Sequence, residues 1–200
     1  MRAFRLSVTA CLLLGMMLVS SVMGSHASQP QSTTIRWDIA SLPGGNPPIM
    51  PGGVAYARAE DGSTIKLTGS GTFDLETSFL VSGGGTWEIY DADSNLTTQG
   101  TYQAERFVSF EPAPGNLPVP ANMDKIGNPA DARAGLAILQ IKYNDGSRGI
   151  LAISCRLVET SPSVFEGFTV SKGSVQYWNH GPETPGLDAN RTIFHVGFGL

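Results

Sequence analysis

Apolar and polar residues alternate along most of this chain, and a period of two is typical of half-buried β-strands. Ile35, Trp37 and Ile39 occupy one face of the first such segment. Arg36 and Asp38 occupy the opposite face. No stretch long enough for a stable helix shows a period of 3.6 together with capping residues. The sequence therefore predicts an all-β protein.

Glycine, proline and Asp-Gly pairs separate the alternating segments. Asp61-Gly62 and Asp145-Gly146 are strong signals for β-hairpins. A sheet of eight to nine antiparallel strands, the number that the segments suggest, has to protect its edges, and closure removes them. Frequent glycines, such as Gly83-Gly84-Gly85, suit the sharp bends of a small barrel. We predict a single antiparallel β-barrel of eight to nine strands, with a two-sheet β-sandwich as the alternative.

The first 27 residues have the three parts of an export signal. Two arginines give a basic start, residues 6–23 are mostly apolar, and Ser25-His26-Ala27 places small residues where a signal peptidase reads them. We expect cleavage after Ala27, with cleavage after Gly24 as the alternative. The mature chain, residues 28–200, is then one domain. The protein is predicted to be secreted, either to the periplasm or outside the cell, with no membrane association after cleavage.

The charge balance excludes one large class of partners. Removal of Arg2 and Arg5 with the leader leaves 11 Lys and Arg against 17 Asp and Glu, so the formal net charge moves from −4 to −6. No basic run occurs anywhere in the mature chain. Binding to a phosphate backbone requires a basic surface. Nucleic acid is therefore not an expected partner.

The reactive residue types do not form a recognisable motif. Residues 91–95 begin like a calcium loop, but Leu96 and Tyr102 stand where such a loop needs glycine and glutamate. His195 is expected to be a hydrogen-bonded core residue, and His180 to lie in an exposed loop. Cys155 has apolar neighbours at a period of two and is expected to be buried. We predict no metal, no cofactor and no catalytic residue.

Glutamates on predicted strands are the best candidates for acid chemistry. A carboxylate in an aromatic-lined lumen has a raised pKa and can act as a general acid. Alternation points Glu88 towards solvent and its neighbour Trp87 inward. Glu166 is the acid that we most expect to be buried, paired with an arginine such as Arg106 or Arg156.

The aromatic residues suggest where a ligand could lie. Trp87, Tyr102 and Phe165 supply large apolar area on predicted inner faces, and with Glu166 they are the candidate ligand-binding residues. The long Pro-rich segment Glu111–Arg133 is expected to lie near these rings and is long enough to cover a barrel mouth. The expected ligand is small and apolar or aromatic. The alternative is that these rings fill an ordinary core, since small barrels are just wide enough for side chains.

Several segments carry a resemblance to known proteins: Ala57–Ser63, Leu67–Phe73, Gly84–Glu88, Asp131–Leu136, Val164–Gly167 and Asp188–Thr192. They resemble a group of uncharacterised secreted bacterial all-β proteins over nearly the whole mature chain. Because that group has no assigned activity, the resemblance implies no site residues. Gly69–Phe73 is also similar to dirigent and allene oxide cyclase barrels, which implies a barrel fold and leaves function open.

Three functions are consistent with these features. The first is a secreted, non-catalytic β-barrel that binds a small ligand. The second is an extracellular or envelope interaction protein without a small ligand. The third is a cyclase-like or isomerase-like enzyme that uses a lumen carboxylate, with Glu166 as its candidate. A raised carboxylate pKa in an apolar cavity would distinguish the third from the first.

Overall fold

Strands form where the sequence alternates. The computed structural model of the protein describes residues 33–181 and 188–197. The strands are β1 (Thr34–Ser41), β2 (Met50–Pro51), β3 (Ala55–Arg58), β4 (Thr64–Leu67), β5 (Ser70–Asp74), β6 (Val81–Tyr90), β7 (Leu96–Ala113), β8 (Ala132–Tyr143), β9 (Arg148–Cys155), β10 (Gly167–Lys172), β11 (Val175–Tyr177), β12 (Asn179–His180) and β13 (Arg191–Val196). Short 3₁₀ turns occupy Pro43–Gly45, Ala121–Met123 and Pro129–Asp131. The all-β prediction is confirmed, and the predicted leader, residues 1–27, lies outside the described residues.

Six strands close into an antiparallel barrel in the order β1, β5, β6, β7, β8 and β13, with β13 pairing back on β1. The other seven strands extend the sheet outside this ring. A barrel rather than a sandwich is therefore confirmed, whereas the predicted eight to nine strands are not. The difference arises because long strands change partners along their length. Strand β6, for example, pairs with β5 over its first half and with β4 over its second.

The pairing of β5 with β6 brings two backbones too close together for side chains. A Cβ atom on Gly71 would lie 2.1 Å from the Ser82 carbonyl oxygen, and one on Gly83 would lie 2.1 Å from the Ser70 oxygen. Gly83 also has a φ of 92°, a conformation that side chains disfavour. Glycine is therefore required at this junction, in agreement with the bends expected from the sequence.

Aromatic and aliphatic side chains from the barrel ring and from the outer strands form one buried core. The largest fully buried ones are Trp37, Trp87, Tyr102, Tyr143, Phe73, Phe168 and Phe194. The ring of Phe73 stacks on Phe107 with centroids 4.7 Å apart and meets the Phe194 ring edge-on at 6.3 Å. Cys155 is fully buried in the same cluster, as its apolar neighbours predict. The interior of the barrel is thus a packed core.

The long Pro-rich segment is shorter than predicted, because β7 continues to Ala113 and β8 begins at Ala132. We call residues 114–131 the strap. Its Ile126 belongs to an apolar cluster with Ile193 on β13. Ile49 exchanges two backbone hydrogen bonds with the strap, of 2.7 and 2.9 Å. This cluster is separate from that of Trp87 and Tyr102, which corrects the expectation that the strap lies near those rings.

Candidate functional site

Trp87 is buried, and its indole is engaged with neighbouring residues. Its Nε1 donates to the Thr101 carbonyl oxygen at 3.1 Å and to Asn144 Oδ1 at 3.2 Å. Its ring meets Tyr143 edge-on with centroids 5.8 Å apart. The Lys172 ammonium lies 4.4 Å from the indole centroid. These contacts are those of a structural core residue.

Tyr102 lies close to Trp87, because both rings pack around Tyr143. The Tyr102 hydroxyl donates to the Thr68 carbonyl oxygen at 2.8 Å, and the Tyr143 hydroxyl donates to the Ser171 oxygen at 2.9 Å. Burial raises the pKa of both phenols. Both hydroxyls therefore stay protonated at physiological pH and act as donors to backbone.

Phe165 lies near the first residue of β10, at the end of the strand that is far from Trp87 and Tyr102. This strand begins two residues after Phe165, and its last residue, Lys172, is the one that contacts Trp87. At about 3.3 Å per residue, the two ends are roughly 20 Å apart. The Phe165 ring stacks on the His180 imidazole with centroids 4.6 Å apart and planes within 12°. His180 is therefore half-buried in β12, not exposed in a loop as the sequence suggested.

Glu166 is buried, as predicted, and links β10 to two other segments. One carboxylate oxygen accepts a hydrogen bond from the Thr192 N–H at 2.6 Å, and the other accepts one from the Arg156 backbone N–H at 2.5 Å. Arg106, the other predicted partner, lies 4.5 Å from the ring centroid of Phe79. Backbone N–H donors on both oxygens make this carboxylate a structural anchor.

The four predicted ligand residues thus fall in two places. Trp87 and Tyr102 meet in the core, whereas Phe165 and Glu166 lie at the far end of β10. One pocket of small-molecule size does not span both places. Their role in ligand binding stays a prediction. Phe165 is the residue of this set that leads, through its stacking on His180, to an open cleft.

That cleft lies along the paired strands β3 and β12 and has a volume of about 400 Å³. Small-molecule sites typically have volumes of a few hundred Å³. We call it the β3–β12 cleft. It is lined by Tyr56, Ala57, Arg58, Thr64, Asn179, His180, Gly181 and Asn190.

Strand register decides which side chains face this cleft. Arg58 pairs with Asn179 on β12 and with Thr64 on β4, so these three share the outer face of the sheet. His180 pairs with Ala57, whose side chain lies in the core. The His180 ring is therefore on the inner face, where Phe165 supports it. The cleft has a backbone floor and a row of hydrogen-bonding side chains on its outer side.

Asn190 holds β3 in place at one side of the cleft. Its backbone N–H donates to the Val54 oxygen at 2.9 Å, and its Oδ1 accepts from the Tyr56 N–H at 2.7 Å. The Gly181 N–H donates to the Tyr56 oxygen at 2.7 Å. A Cβ atom on Gly181 would lie 2.6 Å from Asn190 Nδ2. Glycine is therefore needed at 181, because the Asn190 side chain occupies the place where a Cβ atom would lie.

Arg58 is the exposed cation of the cleft. It forms no ion pair with any carboxylate of residues 33–181 or 188–197. Lys66, on the neighbouring strand, lies 3.1 Å from the Glu88 carboxylate, which also accepts from the Tyr90 hydroxyl. The hydrogen bonds from Tyr90 and Lys66 lower the pKa of Glu88, and the one to Glu88 raises the pKa of Lys66. Glu88 thus faces outward, as alternation predicts.

A cluster of buried charges lies between the strap and the barrel. Asp124 Oδ2 lies 2.8 Å from His195 Nε2, and both side chains are fully buried. Arg36 Nε lies 2.7 Å from Asp38 Oδ2, and burial raises the pKa of the Asp38 carboxyl. His195 is a hydrogen-bonded core residue, as expected. Alternation correctly predicted that Arg36 and Asp38 lie on the outer face of β1. It did not predict that the strap covers this face.

The acidic turn after β6 uses its oxygens internally. Asp91 Oδ1 accepts from the backbone N–H groups of Asp93 at 3.0 Å and Asn95 at 2.8 Å. The hydrogen bonds from Asn95 lower the pKa of Asp91. In the described part of the chain, no group of three or more His, Cys, Asp or Glu side chains is placed to hold a metal ion.

Comparisons with protein-family models, with curated proteins and with solved structures find no match to this chain. Within residues 33–181 and 188–197, no helix has the length and apolar character needed to cross a membrane. Function is therefore inferred from the chemistry of the chain's own residues, and the β3–β12 cleft is the candidate site.

Proposed function

We propose that this protein is an exported, non-catalytic β-barrel module that binds a small ligand in the β3–β12 cleft. The observation that carries this proposal is the contrast between the interior and the cleft. In the interior, Trp87 and Tyr102 are buried and hydrogen-bonded to backbone. The cleft, by contrast, is open and offers the Tyr56 ring and the Arg58 guanidinium. Proposed export rests on the leader-like residues 1–27.

The cleft chemistry favours binding over catalysis. Among the described residues, those that line it include no carboxylate and no thiol, and its imidazole, that of His180, is stacked on Phe165 on the inner face. Acid–base or nucleophilic catalysis needs a pair of such groups within hydrogen-bond reach. Glu166, the candidate acid of the enzyme hypothesis, is held by backbone N–H groups. The residues that line the cleft hold a ligand by shape complementarity and hydrogen bonds.

Native mass spectrometry of the protein purified from its own host tests this proposal. We expect a small-molecule adduct on the wild-type protein, because a ligand bound in the cleft is retained during gentle purification. Tyr56→Ala should lose the adduct. Phe79→Ala, which removes an exposed ring on the β5–β6 turn outside the cleft, should retain it. A wild-type protein without an adduct, or an adduct that survives Tyr56→Ala, contradicts the proposal.

One observation favours the second function, extracellular interaction without a small ligand. Leu75, Phe79 and Leu80 on the β5–β6 turn are exposed, as is Val108 on β7. The Arg106 guanidinium lies over the Phe79 ring. Grouped exposed apolar side chains often mark protein contacts. A co-purifying protein that is lost in Phe79→Ala, without any small adduct, would support this function instead.

A further inference from the structure

We propose that the ligand of the β3–β12 cleft carries a carboxylate, bound by Arg58, and a ring-shaped body that packs on Tyr56. This inference rests on the proposed function, because it names the ligand class of the same cleft. It follows from the order of side chains across β12, β3 and β4.

A row of three hydrogen-bond donors crosses the outer face of these strands. Asn179, Arg58 and Thr64 occupy directly opposed positions on β12, β3 and β4. Side chains in such positions lie about 5 Å apart. The planar guanidinium presents two parallel N–H groups that match the two oxygens of a carboxylate. The amide and hydroxyl on either side add further donors, and none of the three residues is negatively charged.

The acids that follow Arg58 in the chain, Glu60 and Asp61, and Glu88 on β6 form no ion pair with Arg58 within the described residues. Asp61, in the turn that follows β3, accepts hydrogen bonds from the Ser63 hydroxyl at 2.6 Å and the Ser63 N–H at 2.9 Å. Glu88 is bound by Lys66 and Tyr90. Within the described residues, Arg58 is thus left with its charge facing the cleft, in a chain whose formal net charge is −4. It is available to an anion from solution.

The neighbouring position on β3 supplies the surface for the rest of the ligand. Tyr56 lies two residues from Arg58 on the same face of β3 and is half-buried. Asn190 accepts from the Tyr56 N–H and Gly181 donates to the Tyr56 carbonyl oxygen, so the backbone of Tyr56 is held on both sides. An aromatic ring that lines an open cleft suits a flat or ring-shaped body. Aromatic acids and acidic sugars share this chemistry.

Isothermal titration calorimetry with matched acids and neutral compounds tests the inference. The acids are 4-hydroxybenzoate and D-galacturonate, and their neutral counterparts are 4-hydroxybenzyl alcohol and D-galactose. We expect one acid to bind the wild-type protein, with the counterpart weaker by roughly 10- to 100-fold, the usual worth of a charge-assisted hydrogen bond. The acid that binds identifies the body as an aromatic ring or a sugar.

Arg58→Gln should weaken binding of that acid by a similar factor of roughly 10- to 100-fold. Arg148→Gln is the matched control, because Arg148 is an exposed arginine on β9, outside the cleft. It should bind as the wild type does. Circular dichroism and melting curves verify that both variants fold.

The proposal that Arg58 binds a ligand carboxylate would be overturned if an acid and its neutral counterpart bind equally well. It would also be overturned if Arg58→Gln binds the acid as tightly as the wild type does. If neither acid binds, tandem mass spectrometry of the released host ligand decides, since loss of CO₂ from its anion supports the inference and a ligand without a carboxylate overturns it. In the latter case an adduct that Tyr56→Ala abolishes still supports the proposed function. Absence of both adduct and acid binding overturns the two together.

Discussion

Replacing Trp87 by alanine is expected to lower the free energy of unfolding by about 3–5 kcal/mol, the usual cost of truncating a core aromatic residue. The indole is 2% exposed and packs edge-on against Tyr143. Its removal also leaves the Thr101 oxygen and Asn144 Oδ1 without the indole donor. Urea denaturation followed by circular dichroism measures the change without depending on tryptophan fluorescence.

Trp178→Ala is the matched control, because Trp178 is 63% exposed. Its expected effect is within about 0.5 kcal/mol, as for most surface substitutions. If Trp87→Ala instead unfolds with nearly the wild-type free energy, the ring is not part of the core. A ligand site in the barrel interior would then become the better account of this residue.

Gly83→Ala is expected to destabilise the protein by about 3 kcal/mol or more, because two costs add at this position. The backbone has a φ of 92°, which strains any residue with a Cβ atom. The new Cβ would also lie 2.1 Å from the Ser70 oxygen, so that β5 and β6 have to move apart. The same urea titration gives the free energy of unfolding.

Gly52→Ala separates these two costs. Gly52 has a φ of 85°, but a Cβ atom there would meet nothing within 4 Å. Its free energy of unfolding should fall only by the cost of the backbone strain, about 1 kcal/mol. The difference between the two variants measures the close approach of β5 and β6. Equal losses would mean that this approach is absent, which would contradict the barrel closure described above.

The sequence predicted the long strands well, because alternation and hairpin turns are local signals. The alternating segment from Thr34 to Ile39 became β1, and the two Asp-Gly turns join β3 to β4 and β8 to β9. Residues 164–178 are rich in strand-forming residues, so the pattern alone predicts one long strand there. The segment divides into β10 and β11 at Gly173, which has a φ of 58°.

The cleft was not predictable, because it depends on contacts between distant parts of the chain. The hydrogen bond from Tyr56 to Asn190 spans 134 residues, and β12 is a two-residue edge strand without alternation. Sequence reasoning identified Phe165 by its aromatic character but placed it in the lumen. The sequence pattern did not single out Arg58, since its lack of a counter-ion within the described residues is visible only in the assembled sheet.

Chemical-shift mapping of the host ligand by ¹⁵N NMR tests the site assignment most directly. The small-molecule fraction released by denaturing the host-purified protein is added to ¹⁵N-labelled protein produced without it. We expect the largest amide shift changes at Tyr56, Arg58 and residues 179–181. Largest changes at Trp87 and Tyr102 would contradict the site assignment, because they would place the ligand inside the barrel.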